Sequence, residues 1–132
     1  MTPHRFPIRI YYEDTDFSGN VYHAAYLKFF ERGRTEFLRD LGIHHSALME
    51  QGLAFAVRHM EIDFIAAARI DDLLTVETRI AEATGVRLVL EQTLFRDQIV
   101  LTSARVTVVS IKIGGGPVRL PQALRSRLMG ES

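Results

Sequence analysis

Glu13 to His23 is the one stretch whose residue types and spacing could do hydrolytic chemistry. Glu13-Asp14-Thr15-Asp16-Phe17-Ser18-Gly19-Asn20 holds three acids, followed by Gly and Asn. Gly and Asn tolerate positive φ, which predicts a tight reversal at Gly19-Asn20. A long helical pattern starts near Val21 to His23. The first amides of a helix have no intrahelical acceptor and carry the positive end of its dipole. An acyl carbonyl placed there would be polarised. With Asp16 folded back by the turn, a carboxylate would stand beside an oxyanion-binding helix end.

Asp16 is the leading candidate; the plain alternative is a turn or N-cap aspartate. A free Asp, with a pKa of about 3.9, is a weak base. Burial against Phe17 or against an acyl chain would raise that value, and so would Asp14 two residues away. His23 offers its backbone N–H as an oxyanion donor, or its ring to orient Asp16 or hold substrate. The alternative is a first-turn histidine with no role. Tyr22, Tyr26 and Phe30 could line an acyl tunnel, although aromatics at helical spacing are also what a core requires. His44 and His45 are adjacent, which does not suit two ligands on one helical face, and no H-E-x-x-H is present, so no metal site is expected. Ser18 lacks the G-x-S-x-G context of a nucleophile elbow. Gly114-Gly115-Gly116 lacks the Lys-Ser/Thr of a phosphate loop and reads as a flexible break.

The elements that must position these groups follow from periodicity. At 100° per residue, Tyr26, Phe29, Phe30, Gly33, Phe37 and Leu41 fall in one arc of roughly 120°, a core-facing stripe. Leu27 and Leu38 widen it. Arg32–Glu36 and Glu31–Arg34 are spaced to pair on the helix surface. Gly33 costs about 1 kcal/mol in a helix and predicts close approach of another backbone, and Gly42 predicts the stop. Phe6–Tyr12 reads as a strand whose Pro7 confines its start to an edge or an entry. A short helical or turn connection follows at Ile43–Gln51. Four further strands are predicted, at 53–68, 73–83, 86–95 and 99–113. In the first of them Arg58, Met60, Ile62 and Phe64 share a face. Short turns such as Thr84-Gly85 predict antiparallel neighbours, and Pro121–Met129 predicts a final short helix. Pattern alone therefore gives an α+β two-layer domain over residues 1–132, one long helix on a five-stranded antiparallel sheet. The last strand is apolar on both faces near Val106–Ile111, which predicts a homodimer or a dimer of dimers.

Composition removes several classes of function. Sixteen basic residues balance sixteen acidic ones, so nothing favours nucleic acid or an anionic membrane surface. Cysteine is absent, which excludes disulfides, thiolate zinc sites and a cysteine nucleophile. No run approaches the ~18 apolar residues of a membrane span. The start, MTPHRFPIRI, has no long apolar h-region. A cytoplasmic location is the expectation.

The run EDTDFSGNVYHAAYLKFFERGRTE resembles the signature of the hot-dog-fold acyl-CoA thioesterases of the 4-hydroxybenzoyl-CoA thioesterase class. More narrowly it is similar to the bacterial thioesterases associated with the Tol–Pal cell-envelope system, the YbgC type. The likeness continues through AFAVRHMEIDFIAAARIDDLLTVET to VRLPQAL. It implies a hot-dog fold, with the sheet wrapped around the central helix and active sites at a subunit interface. It also implies that Asp16 is the catalytic carboxylate, as general base or nucleophile, and that His23 supplies the polarising amide. Gly19, Val21 and Tyr22 would border the substrate. Arg87, beside the Thr84-Gly85 turn, would meet the coenzyme A phosphates; its plain alternative is a solvated strand arginine. Phe17 stands where that family often has a small residue, which alters the shape of the site. The implied substrate is an acyl-CoA, or the thioester of an acyl carrier protein, and no cofactor is implied. Two other readings remain open at this stage. An acyl-thioester dehydratase would need a His–acid pair acting on the acyl chain. A non-catalytic acyl-CoA or protein-binding module would bind without turnover.

Overall fold

The computed structural model describes residues 3–130. β1 (His4–Arg9) leads through a single 3-10 turn at Tyr12–Asp14 and a tight loop at 15–21 into α1 (His23–Asp40). Then come α2 (His45–Glu50), β2 (Leu53–Phe64), β3 (Leu73–Ala83), β4 (Arg87–Arg96), β5 (Ile99–Lys112) and α3 (Gln122–Leu128). The five strands form one sheet in the order β1-β3-β4-β5-β2, with every pairing antiparallel. This is the α+β architecture of a hot-dog domain.

α1 buries most of the stripe that its periodicity marks; Leu41, just past the helix end, is only partly buried. Tyr26, Phe29, Phe30, Gly33 and Phe37 are buried, and Leu38 joins them. Leu27 does not: it is 45% exposed and faces away from the sheet. The stripe shares one core with Leu74 and Val76 of β3, Leu90 and Leu94 of β4, and Leu101 and Val106 of β5. Burying each such side chain contributes about 1.5–3 kcal/mol. Gly33 is where helix and sheet come closest. A Cβ built there would lie 2.5 Å from Val76 Cγ1. Gly42, at φ +79°, ends the helix in the left-handed conformation that glycine adopts without strain.

Other expectations needed correction. Neither Arg32–Glu36 nor Glu31–Arg34 is an ion pair among the described residues. Glu36 pairs with Arg39 at 3.1 Å, and Arg34 turns inward, its Nη1 donating to Gln92 Oε1 at 3.0 Å. β2 and β3 are not neighbours. Residues 65–72 carry the chain from one sheet edge towards the other, which leaves β2 beside β5. β2 also carries a bulge between Val57 and His59. The extra residue breaks the simple alternation. Leu53 and Phe55 before it, and Met60 and Ile62 after it, pack on the core, while Arg58 is exposed. One apolar face of β5, with Val106 and Val108, packs in the core, and both edges of the strand are hydrogen-bonded within the chain. β5 is an interior strand, and the 117–120 segment crosses its end, with Val118 N–H donating to Ser110 O at 3.0 Å. The long open edge belongs to β2. β1 forms the other edge, where Pro7 is tolerated.

Candidate active site

The loop between the 3-10 turn and α1 doubles back on itself. Thr15 bridges Val21, Asp16 N–H donates to Asn20 O at 2.9 Å, and Gly19 N–H donates to Asp16 O at 3.1 Å. Asp and Gly occupy the first and last places of this turn, where both are favoured. Gly19 has φ +82°. A second set of bonds ties the loop to the crossover behind it: Val21 N–H to Ala68 O at 2.9 Å and Ile70 N–H to Gly19 O at 3.0 Å. The crossover is held in turn by α1, because Ala68 N–H donates to the buried Tyr26 hydroxyl at 3.0 Å. Desolvation raises the Tyr26 pKa above its ordinary value, so the phenol stays protonated.

Between loop and crossover lies a cleft of about 400 Å³. Asp16, Val21, Tyr22, His23 and Tyr26 form one wall, and residues 64–67 of the crossover the other. The His23 ring lies over Phe64 with centroids 4.7 Å apart, and Tyr26 meets Phe64 edge-on at 5.3 Å. The helix start is uncapped. Tyr22 makes no side-chain cap and the first turn holds no acid. The backbone N–H groups of His23 and Ala24 therefore find no acceptor among the described residues, which leaves them free for a ligand oxygen.

Asp16 is exposed, not buried as a raised pKa would require. Its Oδ1 accepts from the Ser18 hydroxyl and from Ser18 N–H, the latter at 2.8 Å. These bonds hold its pKa below that of an ordinary carboxylate, the hydroxyl contributing most. Phe17 projects fully into solvent and covers nothing. Asp14 does not raise the value either. It is buried and accepts from Tyr11 N–H at 2.9 Å. Oδ2 of Asp16 has no partner among the described residues and is the oxygen free for chemistry.

The structure thus brings Asp16, Val21, Tyr22 and His23 together. Gly19 shapes the turn without lining the cleft, and Phe30 is fully buried core. Arg87 is elsewhere. Along the sheet it aligns with Val109, whereas Leu94 aligns with Thr102 and Phe64. That is seven residues along β4, about 23 Å at ~3.3 Å each. Arg87 Nη2 stands 3.8 Å from Glu82. Ser18 and the 64–67 segment join the site beyond the residues expected from sequence. Ser18 two places after Asp16 is the spacing of an Asx turn, so that signal was present. The opposite wall comes from a long-range crossover and had no local signal.

The family model described as "Thioesterase superfamily" matches residues 18–103. The chain belongs to the thioesterase superfamily. It is 47% identical to the acyl-CoA thioesterase YbgC of Haemophilus influenzae, over 92% of this chain and 90% of that one. To the acyl-CoA thioester hydrolase YbgC of Escherichia coli it is 41% identical, over 96% and 93% respectively. A probable thioesterase of Bartonella henselae superposes with a TM-score of 0.86 at 49% identity, covering 90% of this chain and 99% of that one. Thioester hydrolysis is accordingly the activity of this thioesterase. Among its described residues no helix is long and apolar enough to cross a membrane.

Proposed function

We propose that the thioesterase hydrolyses acyl-CoA, or the equivalent carrier-protein thioester, with Asp16 and the first turn of α1 as its catalytic parts. The observation that carries this reading is that Asp16 and His23, whose backbone N–H is open, border one cleft, with the open Ala24 N–H next to it in the same helical turn. The thioester oxygen sits on those amides, where negative charge develops as the carbonyl is attacked. Asp16 Oδ2 either takes a proton from the attacking water or attacks the carbonyl itself, giving an anhydride that water then opens. In both routes the C–S bond breaks, and the thiol and the acid are the products. Phe64 and Tyr22 flank the acyl carbon, and substrate burial against them moves the Asp16 pKa upward from its value in the open cleft.

The working unit of this reading is a homodimer paired through β2. Val57, Phe64 and Ile65 are exposed along that open edge. An isologous antiparallel pairing about the middle of β2 sets the Phe64 end of one protomer beside the first half of β2 in its partner. The Arg87 end of one sheet then runs alongside the partner's cleft. Three strand spacings, about 14 Å, separate them laterally, which a coenzyme A chain can bridge to its phosphates.

Release of free thiol from a panel of short, long and aromatic acyl-CoAs tests the reaction, and light scattering tests the dimer. Turnover with thiol release and a mass twice 15.0 kDa are expected. Tight binding without turnover, or dehydration of a 3-hydroxyacyl thioester without thiol release, would overturn the reading.

A further inference from the structure

The thioesterase has a second cleft, which the catalytic parts above do not use. It measures about 340 Å³ and lies between the second half of α1, the start of α2 and the sheet. Leu38, Phe55, Val57, Leu90 and Val108 give it apolar walls. Arg34 enters it from α1, with Glu31 and His45 also lining it. Arg34 is largely taken out of water, yet it forms no ion pair among the described residues. Among the described residues its one hydrogen bond runs from Nη1 to Gln92 Oε1 at 3.0 Å. Gln92 is itself fixed, since its Nε2 donates to Phe30 O at 2.9 Å and to Thr78 Oγ1 at 3.0 Å. The guanidinium is therefore held at one place by a buried amide, with its remaining donors unspent. Desolvation lowers its pKa and Glu31 offsets this in part, but an arginine stays charged. Burial also lowers the pKa of His45, with Arg39 and Arg34 adding to that and Glu31 opposing it, so the ring is neutral at pH 7 and repels no cation.

A positioned, unpaired guanidinium between apolar walls suits a carboxylate on a short hydrocarbon stem. We infer that this cleft receives the far end of the acyl group, and that the preferred substrates are thioesters of dicarboxylic acids, their free carboxylate bound by Arg34. The inference rests on the acyl-CoA thioesterase reading and names its substrate class. Arg34 lies eleven residues beyond His23, about 16 Å along the same helix. If two chains pair antiparallel through β2, their α1 helices run antiparallel as well, and the partner's Arg34 cleft, walled by Phe55 and Val57 of β2, would come to lie towards the Phe64 wall of the catalytic cleft. Glu31 at the rim works against an anionic ligand and keeps the affinity moderate.

The test compares kcat/KM for ω-carboxyacyl-CoAs with that for neutral acyl-CoAs of matched length, in wild type, Arg34→Met and Glu31→Gln. One charge-assisted hydrogen bond predicts a wild-type preference of about 10- to 100-fold for the carboxylated member at some chain length. Arg34→Met abolishes that preference and leaves neutral substrates within about threefold of wild type, and Glu31→Gln increases it. A purely structural Arg34 would lower both substrate classes together and would not respond to Glu31→Gln. Binding of free dicarboxylates to wild type and to Arg34→Met, by calorimetry, reads the same site without turnover. Hydrolysis of neutral thioesters without discrimination, or equal dicarboxylate binding by both proteins, overturns the inference and leaves the thioesterase reading standing. Absence of hydrolysis on every thioester would overturn that reading instead.

Discussion

Replacing Gly33 by alanine sets two effects of opposite sign against each other. Helix propensity alone favours alanine by about 1 kcal/mol. The new methyl, however, would lie 2.5 Å from Val76 Cγ1, 3.2 Å from Val76 Cβ and 3.2 Å from Gln92 Nε2. Carbon atoms sit comfortably at about 3.5–4.0 Å, so helix and sheet would have to part by about 1 Å. Neither neighbour yields easily. Val76 is β-branched and fully buried in β3, and Gln92 is held by Phe30, Thr78 and Arg34. Overpacking of this kind costs about 1–3 kcal/mol, and the short contact belongs at the upper end. After the propensity gain, a net loss of about 1–2 kcal/mol remains. The expected fall in Tm is about 3–10 °C for a domain of this size. Urea unfolding of wild type and Gly33→Ala measures it directly, with an unchanged slope expected because the surface exposed on unfolding is the same. A variant stabilised by about 1 kcal/mol would refute the close approach, since propensity would then be acting alone.

Three further outcomes follow from the geometry. Ser18→Ala removes the hydroxyl that contributes most to holding the Asp16 pKa down. The active form is the carboxylate, so rate falls as pH drops through that pKa. The acid limb of kcat/KM should therefore move to higher pH, and an unmoved limb would show that Asp16 does not control it. Tyr26→Phe strips the acceptor from the buried Ala68 N–H, and an orphaned donor predicts a loss of about 1–3 kcal/mol in denaturant titration. A neutral result would mean the crossover is held by something else. Phe64→Ala uncovers the His23 ring and one wall of the cleft. It should raise KM more than it lowers kcat in steady-state assays; the reverse would place Phe64 in the chemical step.

What the sequence disclosed is what local physics controls. The helix from His23 to Asp40, its buried stripe, the glycine that ends it and the turn around Gly19 were all readable from periodicity and conformational preference. So was the open helix end, because the first amides of any helix lack an intrahelical acceptor. The rest depended on distant partners. Arg34 was expected on the surface with Glu31, but the amide that draws it inward arrives from β4, 58 positions later. The bulge in β2, which rejects Arg58 from the core face, shows only once the pairing with β5 is known. The apolar run of β5 pointed to a partner subunit, but the strand order puts β5 inside the sheet and leaves the open edge to β2. Neither sequence neighbour raises the Asp16 pKa: Asp14 is buried and accepts from Tyr11 N–H, and Phe17 points to solvent, which leaves burial by an acyl chain as the remaining route. Ser18, dismissed as a nucleophile, turned out to hold the carboxylate.

The single-turnover rate of Asp16→Asn on the best acyl-CoA of the panel reaches the central claim most directly. Asparagine keeps the shape of the turn and can still accept from Ser18, but it can neither take the proton of water nor attack the carbonyl. The account predicts a loss of about 10²–10⁴-fold in the chemical step, with substrate affinity and Tm near those of wild type. A folded Asp16→Asn enzyme that cleaves the thioester at the wild-type rate would contradict it.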